Sequence, residues 1–235
     1  MDSGSGSDLM RYSPWIKTPE IDWSVLIEGQ SPRRLDRGYI LYMENETPDF
    51  VYLIREGRAS LSILNDDRGE RIAFIADAGM IIGKLSAFDF LPNFCCAKII
   101  SDAASVYFIP KKIFLNRIQN NIRLWQNVAL IMSKTVRLLL LELRLMTFDD
   151  SDTRVCYALM HMIQEYSTRT SEGEKIIISF THEQIGELTG LSRVSVSNIL
   201  SRFIKEGVLQ KRQGHYYVKN PAIIYQKICP KTGKL

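Results

Sequence analysis

The sequence predicts an α+β protein in which short strands, one long helix and a small helical domain follow one another. Three observations support this order: apolar runs separated by turn residues up to Pro110, a seven-residue apolar repeat after it, and two capped helices near the C-terminus. With 235 residues, 46% hydrophobic and 24% charged, the chain has the composition of a folded protein and the length of two domains. Its apolar stretches are too short to span a membrane.

The first part of the chain is predicted to be an antiparallel β-sandwich or β-roll. Its apolar runs are Tyr39–Met43, Phe50–Ile54, Ala59–Leu64, Arg71–Ile75 and Ala104–Ile109. Turn residues such as Glu56 and Gly57 separate these runs, which is typical of short paired strands. From Ala59 onward every second residue is apolar, so we expect a strand with one buried face. We place a flexible leader at residues 1–20 and the β-roll at residues 21–115.

The second part is predicted to be a dimerisation helix over residues 116–147. Its apolar residues recur at alternating spacings of four and three: Ile118, Ile122, Trp125, Ala129, Met132, Val136, Leu139, Leu143 and Met146. Four such heptads are typical of helices that coil around a partner, so the positions from Ile122 to Met146 are predicted to join two copies. A second strip with Leu138, Leu141 and Leu145 would cover the chain's own roll. The alternative is a helix buried inside a monomer.

The third part, residues 148–235, contains the most specific pattern. Thr181–Gln184 has the form of a capping box, Gly190 suits a turn, and Ser192 suits the N-cap of a helix over Arg193–Glu206. Two helices joined by three residues with a glycine in the turn form a helix-turn-helix. Apolar runs around Val208 and Tyr217 add a hairpin, so the predicted domain is winged.

Positive charge is concentrated in this third part. Residues 151–235 contain 12 Lys and Arg against 7 Asp and Glu, a net charge of +5. Within residues 191–235 the numbers are 9 and 1, a net charge of +8. Such an excess is expected of a surface that meets a polyanion, and the alternative is a solvated basic tail.

The helix-turn-helix arrangement predicts which side chains contact DNA. A helix in the major groove presents its N-terminal side chains to base edges, where Arg suits guanine, Asn suits adenine and an apolar side chain suits the thymine methyl. The predicted base-reading residues are Arg193, Val194, Ser195, Ser197 and Asn198. The predicted phosphate contacts are Thr181, His182, Ser201, Arg202, Lys211 and Arg212. For His182 a solvated surface position is the alternative.

Phe180–Val218 resembles the DNA-binding domain of the Crp/Fnr transcription regulators, and Val51–Ile63 and Gly79–Phe88 resemble their β-roll. The resemblance covers about residues 30–225. It implies an N-terminal cyclic-nucleotide-binding-like β-roll (a jelly roll), a long dimerisation helix and a C-terminal winged helix-turn-helix domain. It also implies a homodimer that binds palindromic double-stranded DNA in response to a small-molecule or redox signal, with RNA polymerase as a further partner.

The chain departs from the cyclic-AMP-binding members of this family at their ligand site. Those members carry Gly-Glu-Leu followed by Arg-Ser, whereas this chain has Gly83-Lys84-Leu85 and no Arg-Ser around Asn93–Cys96. Ile82–Leu85 is similar to the branch that senses halogenated aromatic acids or phenols in organohalide respiration. We therefore expect an effector other than cyclic AMP, such as an aromatic anion. The predicted effector-binding residues are Phe74, Lys84, Leu85, Phe88, Met132, Lys134 and Val136. The alternative is a Lys84 whose ammonium reaches water.

Other function classes lack the residues they need. The first cysteine is Cys95 and the first histidine is His161, so we expect no iron–sulfur cluster, haem or other metal in the roll. A cupin-like enzyme would need histidines there, and we expect no catalytic residues. Three alternatives stay open: an effector-binding dimer that touches no DNA, a ligand-independent regulator, and a redox switch at Cys95 and Cys96, whose own alternative is buried inert thiols. The few scattered cysteines favour the reducing cytoplasm.

Overall fold

The structure, a computed structural model, describes residues 15–16, 21–65, 69–178 and 180–228. It divides into two compact units, one formed by Pro14–Leu139 and one that contains Leu140–Leu235. The boundary between them lies inside the long helix.

The first unit is the predicted β-roll. Among its described residues the strands are β1 (Trp15–Ile16), β2 (Arg33–Asp36), β3 (Ile40–Tyr42), β4 (Phe50–Glu56), β5 (Ala59–Asn65), β6 (Gly69–Ala76), β7 (Ile81–Ile82), β8 (Cys96–Ile99) and β9 (Ala103–Pro110). One sheet has the order β1-β6-β5-β8-β3 and the other has the order β2-β9-β4-β7. Strand pairing is antiparallel except between β1 and β6. The mixed α+β class and the two-sheet roll are therefore confirmed.

Apolar side chains from both sheets fill the core of the roll. Val51 and Ile54 on β4, Ile99 on β8 and Ile109 on β9 are fully buried in one cluster. Within the described part of this unit, three short helices accompany the sheets, namely α1 (Ser24–Ile27), α2 (Lys84–Asp89) and α3 (Lys111–Gln119). Burial of this apolar surface is the main favourable contribution to the stability of the unit.

One prediction for the roll is wrong in detail. Ser60 and Ser62 on β5 are buried while Ile63 is 45% exposed, so the alternation does not separate a core face from a solvent face. Strand β8 pairs with β5 from Ala59 to Ser62, whereas Ile63 lies beyond the end of this pairing. In the predicted flexible leader, Trp15–Ile16 pair with β6; the rest of residues 1–20 lies outside the described residues.

The long helix α4 spans Ile122–Phe148. It begins later than the predicted residue 116 because helix α3 ends at Gln119 and a separate helix begins after Asn121. The side-chain oxygen of Asn121 accepts hydrogen bonds from the backbone N–H groups of Arg123 and Leu124, at 3.0 and 3.1 Å. Ile118, the first residue of the predicted heptad pattern, lies on α3 and is buried in the roll.

The second unit contains helices α5 (Ser151–Tyr166), α6 (His182–Thr189), α7 (Arg193–Lys205) and α8 (Pro221–Ile228). Its strands are β10 (Ser167–Thr170), β11 (Gly173–Ile176), β12 (Leu209–Arg212) and β13 (His215–Val218), in the sheet order β10-β11-β13-β12. The side chain of Asp150 caps α5 by accepting from the N–H of Thr153 at 2.8 Å. This arrangement confirms the winged helix-turn-helix.

Strands β10 and β11 form a hairpin, and β11 also pairs with β13. Gly173 has φ +117°, and a Cβ there would lie 2.4 Å from the carbonyl oxygen of Val218. Glycine thus allows β11 to approach β13 closely enough to pair with it. A third and a fourth strand therefore extend the two-stranded wing.

Candidate nucleic-acid interface and ligand cavity

Local capping interactions fix the two helices of the helix-turn-helix. Thr181 Oγ1 accepts from the N–H of Gln184 at 3.1 Å, and Gln184 Oε1 accepts from the N–H of Thr181 at 3.0 Å. Gly190 ends α6 with φ +66°, and Ser192 caps α7 by accepting from the N–H of Ser195 at 3.1 Å. The predicted capping box, turn glycine and second cap are confirmed. Gly186, which the sequence reasoning missed, leaves no room for a Cβ, because one would lie 2.5 Å from the carbonyl oxygen of Leu191.

The recognition helix α7 buries one face and exposes the other. Val196, Ile199, Leu200 and Phe203 pack inward. Of the predicted base-reading residues, Arg193, Val194 and Asn198 are exposed, and Ser195 and Ser197 are half-buried. All five lie in the first two turns of the helix, where a major-groove helix meets base edges.

Three cationic or polar side chains from different elements converge beside the start of α6. The His182 Nε2 atom lies 2.9 Å from the Tyr216 hydroxyl on β13, and the Lys211 Nζ atom lies 5.2 Å from the centre of the Tyr216 ring. Partial burial, and then the charges of Lys211 and Arg193, lower the pKa of His182. His182 is therefore held by the wing and is not simply a solvated side chain. Tyr216 is a further candidate contact that the sequence reasoning missed.

The remaining predicted phosphate contacts fall into two groups. Thr181 and Ser201 are exposed. Arg202 instead forms an ion pair with Asp152, and Arg212 forms one with Glu172. These two guanidinium groups are thus already paired with carboxylates within the unit.

The first unit contains a cavity lined by Tyr42, Leu61, Phe74, Ile82, Gly83, Lys84, Leu85, Ser86, Asn93, Phe94, Cys95, Thr135 and Leu139. Lys84 is 3% exposed, and its Nζ atom donates to the carbonyl oxygen of Ile81 at 3.1 Å. Burial lowers the pKa of Lys84 to about 8. The alternative in which the ammonium reaches water is therefore wrong.

A second donor faces this cavity. The Asn93 Oδ1 atom accepts from the Ser86 hydroxyl at 3.0 Å, while Asn93 Nδ2 has no hydrogen-bond partner among the described residues.

Burial raises the pKa of the Cys95 thiol to about 11 and also raises the pKa of the Cys96 thiol. Both thiols are buried and protonated at neutral pH, which favours inert thiols over a redox switch.

The cavity contains some of the predicted effector-binding residues and not others. Phe74, Lys84 and Leu85 line it, whereas Phe88, Met132, Lys134 and Val136 are not among its lining residues. Phe88 stacks on Trp125 with ring centres 5.1 Å apart, Met132 packs against the core, and Val136 is exposed. The helix contributes Thr135 and Leu139 instead. Neighbouring residues on a helix point about 100° apart. The heptad pattern alone did not show which of them face the cavity.

Most of the predicted seam residues are exposed on α4. Ile122, Trp125, Ala129, Val136, Leu139, Leu143 and Met146 are exposed, and Met132 is half-buried. Leu138, Leu141 and Leu145, the predicted second strip, are buried. One face of α4 is therefore buried and the opposite face is exposed. The homodimer stays a prediction, with a helix buried inside a monomer as its alternative.

Metal sites and membrane spans were also predicted to be absent. Among the described residues, no cluster of three or more His, Cys, Asp or Glu side chains is suited to a metal ion. The helices of the described ranges are too short or too polar to cross a bilayer.

Comparison with known proteins agrees with this architecture. Residues 32–121 match the cyclic nucleotide-binding domain family, and residues 153–224 match the Crp-like helix-turn-helix domain family. A cyclic AMP receptor protein from Thermus thermophilus is 22% identical over 213 residues, 86% of this chain and 95% of that protein.

Solved structures give the same result for the fold. A CooA mutant from Carboxydothermus hydrogenoformans has a TM-score of 0.73 at 20% identity, and the match covers 89% of this chain and 91% of that chain. The c-di-GMP responsive global regulator CLP from Xanthomonas campestris has a TM-score of 0.76 at 15% identity, with 84% and 97% covered. The matched domains and relatives are those of regulators, not enzymes. The chain belongs to the Crp/Fnr family of DNA-binding transcription regulators.

Proposed function

We propose that this protein is a homodimeric regulator whose binding to palindromic DNA is controlled by a small anion held at Lys84. The observation that carries the proposal is a buried ammonium without a carboxylate partner among the described residues. Asn93 lines the same cavity, and its Nδ2 atom has no hydrogen-bond partner among the described residues. A buried charge is costly unless it is paired, and an anionic ligand supplies the missing partner. Asn93 Nδ2 offers a second donor to the same anion.

The walls of the cavity favour an aromatic anion. Tyr42, Phe74 and Phe94 contribute rings, and Leu61 and Ile82 contribute apolar surface. The cavity measures about 40 Å³, whereas an engineered protein cavity that binds benzene measures about 150 Å³. An aromatic effector must therefore displace part of the wall. Phe94 is 50% exposed, and it is the lining side chain that we expect to move.

Cyclic AMP fits this cavity poorly. Lys84 is the only charged residue among those that line it, so a nucleotide phosphate would have no arginine partner there. The relatives carry different effectors in their names, cyclic AMP in one and c-di-GMP in another. The fold therefore does not determine the effector, whose identity depends on the side chains that line the cavity.

The exposed seam of α4 supports the homodimer. Its apolar side chains repeat at heptad spacing, which matches the surface that a second identical helix presents. Leu139 belongs both to this seam and to the lining of the cavity. A ligand that displaces Leu139 or Thr135 can therefore shift how the two helices pack, which is a population shift between dimer states. Contact with RNA polymerase stays a prediction.

Isothermal calorimetry tests the effector proposal. The ligands are benzoate, chlorinated phenols and cyclic AMP, and the proteins are wild type, Lys84→Met and, as a matched control, Lys112→Met at an exposed lysine of the same unit. We expect an aromatic anion to bind wild type and Lys112→Met alike, and Lys84→Met at least about tenfold more weakly. The affinity for wild type should fall once the pH exceeds about 8, because Lys84 then loses its charge. Tight binding of cyclic AMP, or an aromatic ligand indifferent to Lys84→Met, would contradict the proposal.

A further inference from the structure

A groove of about 380 Å³ lies between the first turn of α5 and the recognition helix α7. Its lining residues are Ser151, Asp152, Ser195, Asn198, Ile199 and Arg202. Two of these, Ser195 and Asn198, are predicted base-reading residues. The groove therefore opens on the surface that faces DNA in the proposed function.

Arg202 is already engaged within this groove. Its Nη2 atom contacts both carboxylate oxygens of Asp152, a residue 50 positions earlier in the chain. Its Nε atom lies 4.0 Å from a carboxylate oxygen of Glu206. The side chains of Arg202 and Asp152 are 49% and 33% exposed, so the ion pair lies at the surface, where a phosphate can reach it.

Asp152 is not needed as the cap of α5. The cap is Asp150, which accepts from the N–H of Thr153 at 2.8 Å. A carboxylate in the first turn of a helix is favourable for the helix, and this is the structural alternative for Asp152. That role explains an acidic residue at this position, but it does not explain the contact of both carboxylate oxygens with a guanidinium on the recognition helix.

We propose that Asp152 acts as an internal phosphate mimic that keeps Arg202 from contacting DNA until the ion pair opens. The inference rests on the proposed function, because it requires that α7 meets DNA. A carboxylate and a phosphodiester present the same pair of acceptor oxygens to a guanidinium, so they compete for one site. An exposed ion pair is weak, so DNA can displace the carboxylate. The Asp152 carboxylate also repels an approaching phosphate, which lowers the affinity for DNA of any sequence.

Fluorescence anisotropy with a labelled duplex of mixed sequence, measured over a series of salt concentrations, tests this inference. The proteins are wild type, Asp152→Asn, the double variant Asp152→Asn with Arg202→Ala, and Asp102→Asn. Asp102 is a matched control, because it pairs with Arg37 at 2.7 Å in the other unit and its substitution makes the same change in net charge.

We expect Asp152→Asn to bind the duplex about three- to tenfold more tightly, with a log–log salt dependence steeper by about one. Asp102→Asn should stay within about twofold of wild type, since Asp102 lies outside the DNA-binding unit. Adding Arg202→Ala should remove the gain of Asp152→Asn. Asp152→Ser, measured alongside, keeps the test valid if Asp152→Asn lowers the thermal unfolding midpoint.

Three results would overturn the inference. They are an unchanged affinity in Asp152→Asn and Asp152→Ser, a weaker affinity, and a gain that Asp102→Asn reproduces. A weaker affinity would mean that Asp152 holds Arg202 in place for its DNA contact. Failure of every variant to bind the duplex even at low salt is a different outcome, because it contradicts the proposed DNA-binding function itself.

Discussion

Lys84 and His161 show how burial lowers the pKa of a basic side chain. Burial lowers the pKa of Lys84 to about 8 and that of His161 to about 4, because the charged form loses its hydration. Lys84 lines the cavity in which we propose that an anion pairs with its ammonium. His161 lies inside α5, 1% exposed, with its ring 5.1 Å from that of Tyr157. Burial of Lys84 therefore supports the proposed ligand site, and burial of His161 affects the stability of its unit.

His161 predicts an acid-sensitive DNA-binding unit. The unfolded chain protonates this histidine below about pH 6.5, whereas the folded chain does so only near pH 4. The unfolded state thus binds more protons between these values, so the stability contributed by neutral His161 is present above pH 6.5 and is lost as the pH falls toward 4. The loss is on the order of 3 kcal/mol by pH 4.

Urea unfolding of wild type, His161→Leu and His215→Leu at neutral and mildly acidic pH measures this effect. The decrease in unfolding free energy on acidification should be smaller in His161→Leu than in wild type. His215→Leu, which removes a half-buried histidine from β13, should keep the decrease. An equal decrease in wild type and His161→Leu would show that His161 does not couple folding to protons.

The charges at the DNA-binding surface show the limit of sequence reasoning at single residues. Arg193, Asn198 and Lys211 were identified from their positions in the motif, and the structure leaves Arg193 and Asn198 exposed. The partners of Arg202 and Arg212 lie 50 and 40 residues away in sequence, on the first turn of α5 and in the β10–β11 turn. Such pairs depend on tertiary packing, so a local pattern cannot reveal them.

Two neighbouring cations on strand β12 of the wing have different surroundings, because successive residues of a strand point to opposite faces. Lys211 lies opposite Tyr216 in the β12–β13 hairpin. The Tyr216 hydroxyl is hydrogen-bonded to His182 at the start of α6. Arg212 is the next residue of β12, and it pairs with Glu172. The sequence predicted equal phosphate contacts for the two cations, whereas the structure distinguishes them.

We expect Lys211→Ala to weaken binding to a duplex of any sequence about three- to tenfold and to reduce the salt dependence by about one phosphate. Arg212→Ala should have a clearly smaller effect, because Glu172 already neutralises its guanidinium. Anisotropy titrations of both variants over a salt series measure the difference. A loss in Arg212→Ala as large as that in Lys211→Ala would show that the Glu172 pair opens freely on DNA.

Elements with strong local signals were predicted well. The Thr181 capping box and the Ser192 cap placed α6 and α7 correctly because each cap is an interaction within four residues. The β10–β11 hairpin was missed because β11 is stabilised by pairing with β13, about 40 residues later in the chain. The start of α4 was missed because the apolar repeat continues across Asn121, where the backbone makes a new helix start.

Dimer formation depends on the exposed apolar seam of α4. The seam leaves apolar side chains exposed in a single chain, and a second copy would cover them. A symmetric dimer presents two recognition helices, so its DNA site must consist of two half-sites. A variant that places a charge in the seam, such as Leu143→Glu, should sediment as a monomer and lose most of its affinity, since a single half-site supplies only part of the binding free energy.

Footprinting of wild type and Leu143→Glu on genomic DNA fragments tests whether the protein binds DNA as a dimer. For wild type, the account predicts a protected site with two-fold symmetry, with half-site centres about one helical turn, ~34 Å, apart. Leu143→Glu should give no footprint at the concentration at which wild type protects the site fully. A single protected half-site with wild type, or the same footprint with a monomeric Leu143→Glu, would contradict the account of a dimeric DNA-binding regulator.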